Sequence, residues 1–198
     1  HRVGFGASGR NGGQLGSGQR RDQEELEAML GRDAAHRLWD LGEEAKQLVR
    51  DLVAKHAIDC DLKPGIAWTG FGKRDTTHLH DYAEKLQRDY GYDQISALSP
   101  QEWSDICPSP AYDGAVLDMG AGHLHPLNFA LGLARAAIEA GVRIYEQTPV
   151  HHIEQGAKPV LRTEHGRVSC DHVVLACNGY LGGLNRKVAA RVRPSNHF

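Results

Sequence analysis

Apolar residues recur at spacings of three and four across residues 20–56: Leu26, Met29 and Leu30, then Leu38, Leu41 and Ala45, then Leu48, Leu52 and Val53. Glu, Arg and Lys fill the gaps, which is the period of one helix face. Gly31 followed by Asp33 reads as a helix stop and a new N-cap, so two helices are expected, the second longer, with their charged faces in solvent. The period returns over 78–90 through Leu79, Tyr82, Ala83, Leu86 and Tyr90. Ser99-Pro100-Gln101-Glu102 has the composition of a capping box with proline in the first turn, predicting a short helix that ends near Cys107 and Pro108. The densest stripe lies over 126–141, where Leu127, Ala130, Leu131, Leu133, Ala134, Ala137 and Ile138 precede Gly141 at the stop position.

Short β-compatible runs separate these helices. Residues 59–62 and 65–70, bounded by Pro64 and glycines, suggest a hairpin, and 111–119 reads as a strand of an antiparallel sheet. Residues 142–145 follow the densest helix at once and read as a strand. Then 150–154, 160–163 and 167–169 form a small β-meander with turns at Gln155-Gly156 and His165-Gly166. Residues 171–176 end in four adjacent apolar side chains without alternation, the pattern of a strand buried on both faces of a parallel sheet. The polar turn after it, Cys177-Asn178-Gly179-Tyr180, occupies the place where open α/β sheets receive ligands. The expected class is α/β, with α and β elements mixed.

Composition narrows the partners. The 198 residues suffice for one large or two small domains, and a formal charge of −2 favours neither nucleic acid nor an anionic membrane. No apolar run approaches the ~20 residues of a membrane span, and the start lacks a signal-peptide layout. Four widely spaced cysteines with no Cys-x-x-Cys pair indicate a reduced, cytoplasmic protein with free thiols. The absence of an initiator Met and a start inside a ligand-type loop suggest a piece of a longer protein.

Twelve histidines include the pairs His78 with His80, His123 with His125 and His151 with His152. None has a cysteine or carboxylate partner at ligand spacing, so no metal site is expected. Trp68, Phe71 and Tyr82 read first as core aromatics, with an amine pocket as the alternative. No triad or carboxylate pair has spacing support, and no residue is singled out as catalytic.

The richest chemistry lies at the start, Gly4-Phe5-Gly6-Ala7-Ser8-Gly9-Arg10-Asn11-Gly12-Gly13-Gln14. Glycines let the backbone approach a ligand while Ser8, Arg10, Asn11 and Gln14 supply donors, which suits a phosphate-bearing cofactor. Gly4, Gly6 and Gly9 match G-x-G-x-x-G, but a nicotinamide-type fingerprint requires a preceding strand, and only His1, Arg2 and Val3 stand there.

Residues 6–14 resemble the second glycine-rich segment of FAD-dependent amine and amino-acid oxidoreductases, the D-amino-acid oxidase, glycine oxidase and sarcosine oxidase superfamily. Gly122-His123-Leu124-His125-Pro126, the helix after it and residues 141–150 resemble that family's later cofactor-domain unit. Residues 171–180 resemble its strand and turn before the flavin. Order and spacing agree throughout, and the resemblance is strongest to γ-glutamylputrescine oxidoreductases.

The resemblance implies a partial FAD-binding Rossmann-like domain with an inserted antiparallel-sheet substrate domain. Cofactor segments would span 1–57 and 122–184, the substrate domain 58–121, and 185–198 would begin its return. Ser8, Arg10 and Asn11 would contact the FAD pyrophosphate, and Gly12, Gly13 and Gln14 would lie along the ribityl chain and flavin. Val150 would meet the adenine through its backbone, while Ala176, Asn178 and Gly179 would flank the pyrophosphate and ribityl side. Cys177 stands where the family more often has Thr or Ser. The implied reaction is oxidation of the C–N bond of a small-molecule amine, γ-glutamylputrescine-like or an amino acid, with oxygen as acceptor. The dinucleotide fingerprint would precede His1 and the pocket would be completed beyond Phe198, so this piece alone would bind FAD weakly or not at all and be inactive. The alternatives are an NAD(P)-binding dehydrogenase module and a non-catalytic orphan fragment of a flavoprotein.

Overall fold

A computed structural model describes residues 1–191. The described residues divide into two compact units, one of Val3–Val142 and one of residues 1–2 with 143–191. The larger unit runs β1 (Gln14–Leu15), α1 (Gln23–Leu30), α2 (Arg32–Lys55), β2 (Lys63–Thr69), α3 (Lys73–Tyr90), β3 (Ile95–Leu98), α4 (Pro100–Ile106), β4 (Ala115–His123) and α5 (Pro126–Glu139).

Strand β4 is the axis of an antiparallel sheet. β2 pairs along its length from Thr69↔Ala115 to Lys63↔His123. On the other edge β3 takes the first half, Leu98↔Ala115 to Ile95↔Asp118, and β1 takes the end, Leu15↔Gly122 and Gln14↔His123. Trp39, Ala83, Leu86, Tyr92, Ile95 and Val116 form the buried core, with Trp68, Leu79, Tyr82 and Tyr90 packed against it. The smaller unit holds the meander β5 (Val150–Glu154), β6 (Val160–Thr163) and β7 (Arg167–Ser169), all antiparallel, and a short α6 (Arg186–Ala189).

The mixed α/β class with antiparallel sheets is as expected, and so are the meander strands, residue for residue. The Gly31 break between α1 and α2 is real, with φ 83°, although the second helix starts at Arg32 and Asp33 lies within its first turn. The capping box at α4 is complete: Glu102 N–H donates to Ser99 Oγ and Ser99 N–H donates to Glu102 Oε2 at 2.8 Å.

Several expectations fail for physical reasons. Residues 59–62 form no strand and no hairpin with β2, because Asp61 takes φ 52° and β2 pairs instead with β4, some fifty residues downstream. The strand expected over 111–119 runs from Ala115 to His123, after Gly114 at φ 145°. Residues 142–145 and 171–176 are not strands. A run of adjacent apolar residues needs ladder partners on both edges, and no described strand flanks it, so Val174 stands 86% exposed. On α2 the buried face is Ala35, Trp39 and Lys46, while Leu41 and Leu48 of the apolar stripe are exposed. The expected return segment 185–198 lies partly outside the described residues.

Candidate functional site

The glycine-rich loop is built from its own main chain. Gly9 N–H and Arg10 N–H donate to Gly6 O and Ala7 O, closing a single 3-10 turn over Ala7–Gly9. A side chain at Gly9 would place its Cβ 2.1 Å from Gly4 O, so only glycine permits this close crossing. Asn11 is the internal brace: its Nδ2 donates to Ala7 O (2.9 Å) and Ser8 O (3.2 Å), and its Oδ1 accepts from Gly13 N–H (2.8 Å). Gly13 then turns the chain at φ 68° and its carbonyl accepts from Leu124 N–H at 2.9 Å.

The loop leads into β1 and not directly into a helix, so no helix begins at its end. The same geometry removes the dinucleotide-fingerprint reading of Gly4, Gly6 and Gly9 within this unit, which requires strand, turn and helix in succession. Ser8, Asn11, Gly13 and Gln14 line one cleft of about 360 Å³ whose other walls are Val49 of α2 and Phe129 and Leu133 of α5. Arg10 is exposed, with its guanidinium 4.5 Å from the Phe5 ring centroid, and Gly12 faces open space.

The remaining predicted positions belong to the smaller unit. Val150 pairs with Thr163 at the start of β5. Ala176 is exposed just before a 3-10 turn over Asn178–Tyr180, in which Asn178 takes φ 48° and its Oδ1 accepts from Gly179 N–H at 2.7 Å. The Asn178–Gly179 turn, like the loop at Ala7–Gln14, is organised locally by an asparagine and a glycine.

Trp68 and Tyr82 meet on a second cleft of about 450 Å³, together with Ser17, Gln19, Asp22 and His78. Burial pushes the Tyr82 phenol up to about 12, against the opposing effect of the Gln23 N–H that donates to it. Phe71 does not join them: it is exposed and packs edge-on against Tyr112. The histidine pairs go separate ways. His80 Nε2 lies 3.2 and 3.1 Å from Leu98 O and Ala115 O, His123 Nδ1 lies 3.2 Å from Gly65 O, and His125 Nδ1 caps α5 by accepting from Asn128 N–H. Among the described residues no group of three or more His, Cys, Asp or Glu is placed to hold a metal ion, and no helix is long and apolar enough to cross a membrane.

The periodicity of the chain hid one cluster entirely. Asp118, on the helix-facing side of β4, is fully buried and accepts from Ser17 Oγ (2.6 Å), Tyr92 Oη (2.5 Å) and Ala121 N–H (3.0 Å). Lys46 of α2, 3% exposed, donates to Ser17 Oγ and Tyr92 Oη and pairs with Glu43 at 2.9 Å. Burial first, and then the Asp118 carboxylate, push the Tyr92 phenol far above the ordinary tyrosine value. An acid in the middle of Ala115-Val116-Leu117-Asp118-Met119, at a core-facing position of a strand, was the available signal.

The sequence profile described as FAD dependent oxidoreductase matches residues 1–198. A protein from Rhizobium meliloti (strain 1021) described as probable oxidoreductase OrdL is 39% identical over 198 residues, covering 100% of this chain and 46% of its own length. The γ-glutamylputrescine oxidoreductase of Escherichia coli (strain K12) is 38% identical over 194 residues, 98% of this chain and 45% of that protein. Among solved structures, glycine oxidase from Geobacillus kaustophilus superposes with a TM-score of 0.71 at 24% identity, over 93% of this chain and 48% of that one. The chain thus spans about half the length of the relatives it matches.

Proposed function

Because the chain belongs to the FAD-dependent oxidoreductase family, whose profile covers it throughout, we propose that the full-length protein oxidises the C–N bond of a small amine or amino acid. The observation that supports a cofactor role most strongly is the loop at Ala7–Gln14. It is rigid from within through Asn11 and Gly13, yet presents the exposed Ser8 hydroxyl, the Arg10 guanidinium and the bare backbone of Gly12. A hydroxyl and a guanidinium beside unshielded amides suit a diphosphate. Asn11 contributes by shaping the loop, since both ends of its amide are engaged within it.

On this reading Ser8, Arg10 and Asn11 serve the pyrophosphate end of FAD. Gly12, Gly13 and Gln14 run along the ribityl chain and ring, and Val150, Ala176, Asn178 and Gly179 supply a second set of contacts. Residues 1–57 and 122–184 are then cofactor-binding segments, and 58–121, centred on β2 and β4, carry substrate contacts. When bound, FAD supplies a hydride acceptor for the carbon bearing the amine, and water hydrolyses the resulting imine to a carbonyl compound and ammonia. Oxygen is the proposed acceptor in the return step. This chain's own residues bind and orient: the open Gly12 backbone admits close approach, Gly13 turns the chain beneath it, and Gln14, held at the β4 edge, faces the cleft of the loop.

A γ-glutamylated diamine is the proposed substrate class, supported by the 38% identity to the Escherichia coli protein. Anaerobic addition of γ-glutamylputrescine to the purified full-length protein tests this. Bleaching of the flavin absorbance at a rate well above that with glycine supports the reading. Bleaching by glycine alone reassigns the substrate, and no bleaching by any amine refutes amine oxidation.

A further inference from the structure

We propose that Asp118, Lys46 and Tyr92 form a buried receptor for the Ser17 hydroxyl that holds β1, and with it Gln14, against β4. Ser17 and the receptor residues are thereby positioning residues for the cofactor loop. The inference rests on the cofactor reading of Gln14 given above.

β1 has two residues, too few to hold register by its own ladder. Its N-terminal side is pinned by the Gly13 turn, through Gly13 O and Leu124 N–H. Its C-terminal side is pinned at Ser17, which reaches into the cluster beneath β4.

The cluster is one continuous hydrogen-bond network. The Ala121 N–H and the Ser17 and Tyr92 hydroxyls all reach Asp118, and the two hydroxyls also lie within hydrogen-bond distance of each other at 2.8 Å. The Lys46 ammonium, 2.7 and 3.2 Å away, donates to both the Ser17 and Tyr92 hydroxyl oxygens. Lys46 also donates to Gly120 O at 3.3 Å and forms an ion pair with Glu43 at 2.9 Å, and Gly120 O also accepts from Arg50 Nη2 at 2.5 Å. Ser17 is thus the hydroxyl that closes a ring between a buried anion and a buried cation. A hydrophobic replacement of such a cluster is often as stable, so what it contributes is geometry: it fixes one register of one short segment.

The neighbouring glycines agree with a seated segment. A Cβ on Gly18 would lie 2.9 Å from the Trp39 ring, and one on Gly42 would lie 2.8 Å from Gly18 O, so the chain just after Ser17 is packed directly onto α2.

The test uses the full-length protein with Ser17→Ala, Ser17→Thr, Asp118→Asn and Lys46→Met. Two readouts are taken: amide hydrogen exchange at 14–17 without cofactor, and the FAD Kd by fluorescence quenching. Removing a hydrogen bond to a charged group is expected to speed exchange at 14–17 by about tenfold or more in Ser17→Ala and to raise the FAD Kd by a similar factor. Ser17→Thr, which keeps the hydroxyl, is expected to restore most of both. Wild-type exchange and Kd in Ser17→Ala overturn the proposal, whether or not Asp118→Asn folds. Accelerated exchange throughout the unit, unrelieved by Ser17→Thr, also overturns it, since the cluster would then serve only general stability. If exchange at 14–17 responds as expected but wild-type protein binds no FAD, the receptor stands and the cofactor reading of Gln14 fails.

Discussion

Gly13→Ala in the full-length protein concentrates the argument about the loop into one methyl group. The backbone there has φ +68°, a conformation that costs an L-residue about 1–2 kcal/mol. The added Cβ would sit 1.8 Å from Leu124 O and 3.2 Å from Pro126 Cδ, a contact that only main-chain movement relieves. Moving Leu124 breaks its N–H bond to Gly13 O, now 2.9 Å, at a further cost of about 1 kcal/mol. The sum is on the order of 3 kcal/mol, which in a protein about twice this length scales to a fall in Tm on the order of 3–5 °C.

Gly12→Ala is the matched comparison, since nothing lies within 4 Å of the Cβ it would carry and its φ is not in the positive range. Differential scanning fluorimetry of cofactor-free protein is expected to show the large loss for Gly13→Ala and almost none for Gly12→Ala. FAD titration is expected to show weakened binding in both, because at Gly12 the methyl group fills space proposed for the cofactor. A Gly13→Ala protein within about 1 °C of wild type would refute the loop geometry. An unchanged FAD Kd in Gly12→Ala would refute the placement of the cofactor beside it.

Other consequences follow from single sites. In α5, Gly132→Ala should gain about 1 kcal/mol from helix propensity, yet its Cβ would lie 2.3 Å from buried Ile58 Cγ2. Overpacking of about 1–3 kcal/mol therefore decides the sign, and urea midpoints should show net destabilisation. The Arg88 and Lys85 side chains hold the Asp89 carboxyl down from 3.8 to about 2. Its contribution is full above pH 3.8 and is lost as pH falls through about 2, so Asp89→Asn should flatten the acid limb of stability across that window; equal slopes would contradict it. Asn11→Ala should speed hydrogen exchange at the Gly13 amide, whereas Asn11→Asp, which keeps the accepting oxygen, should leave that amide protected.

What the sequence disclosed depended on how local the cause was. The Ser99 capping box, the Gly31 break and the β5–β7 meander are set by residues a few positions apart, and all were legible. The partner of β2 is β4, distant in the chain, so residues 59–62 invited a hairpin that does not form. The apolar run at 171–176 was read as a buried strand, but burial is a property of neighbours, and among the described residues none pairs with it. Helical period marked Leu41 and Leu48 as interior, while Trp39 and Lys46 took that face, because the Asp118 cluster offers a place for a buried ammonium that no helical wheel reveals. The residues Ser8 to Gln14 were legible as a glycine-rich loop, whereas the Ser17–Asp118 bond behind it was not, since it joins positions about a hundred residues apart.

The central claim is that this loop is part of an FAD site, and the visible absorption spectrum of the purified full-length protein tests it most directly. The account predicts a flavin spectrum with about one FAD per chain, restored on adding FAD to stripped protein and weakened by Gly12→Ala. Full-length protein that is folded, colourless and unable to take up FAD would contradict it.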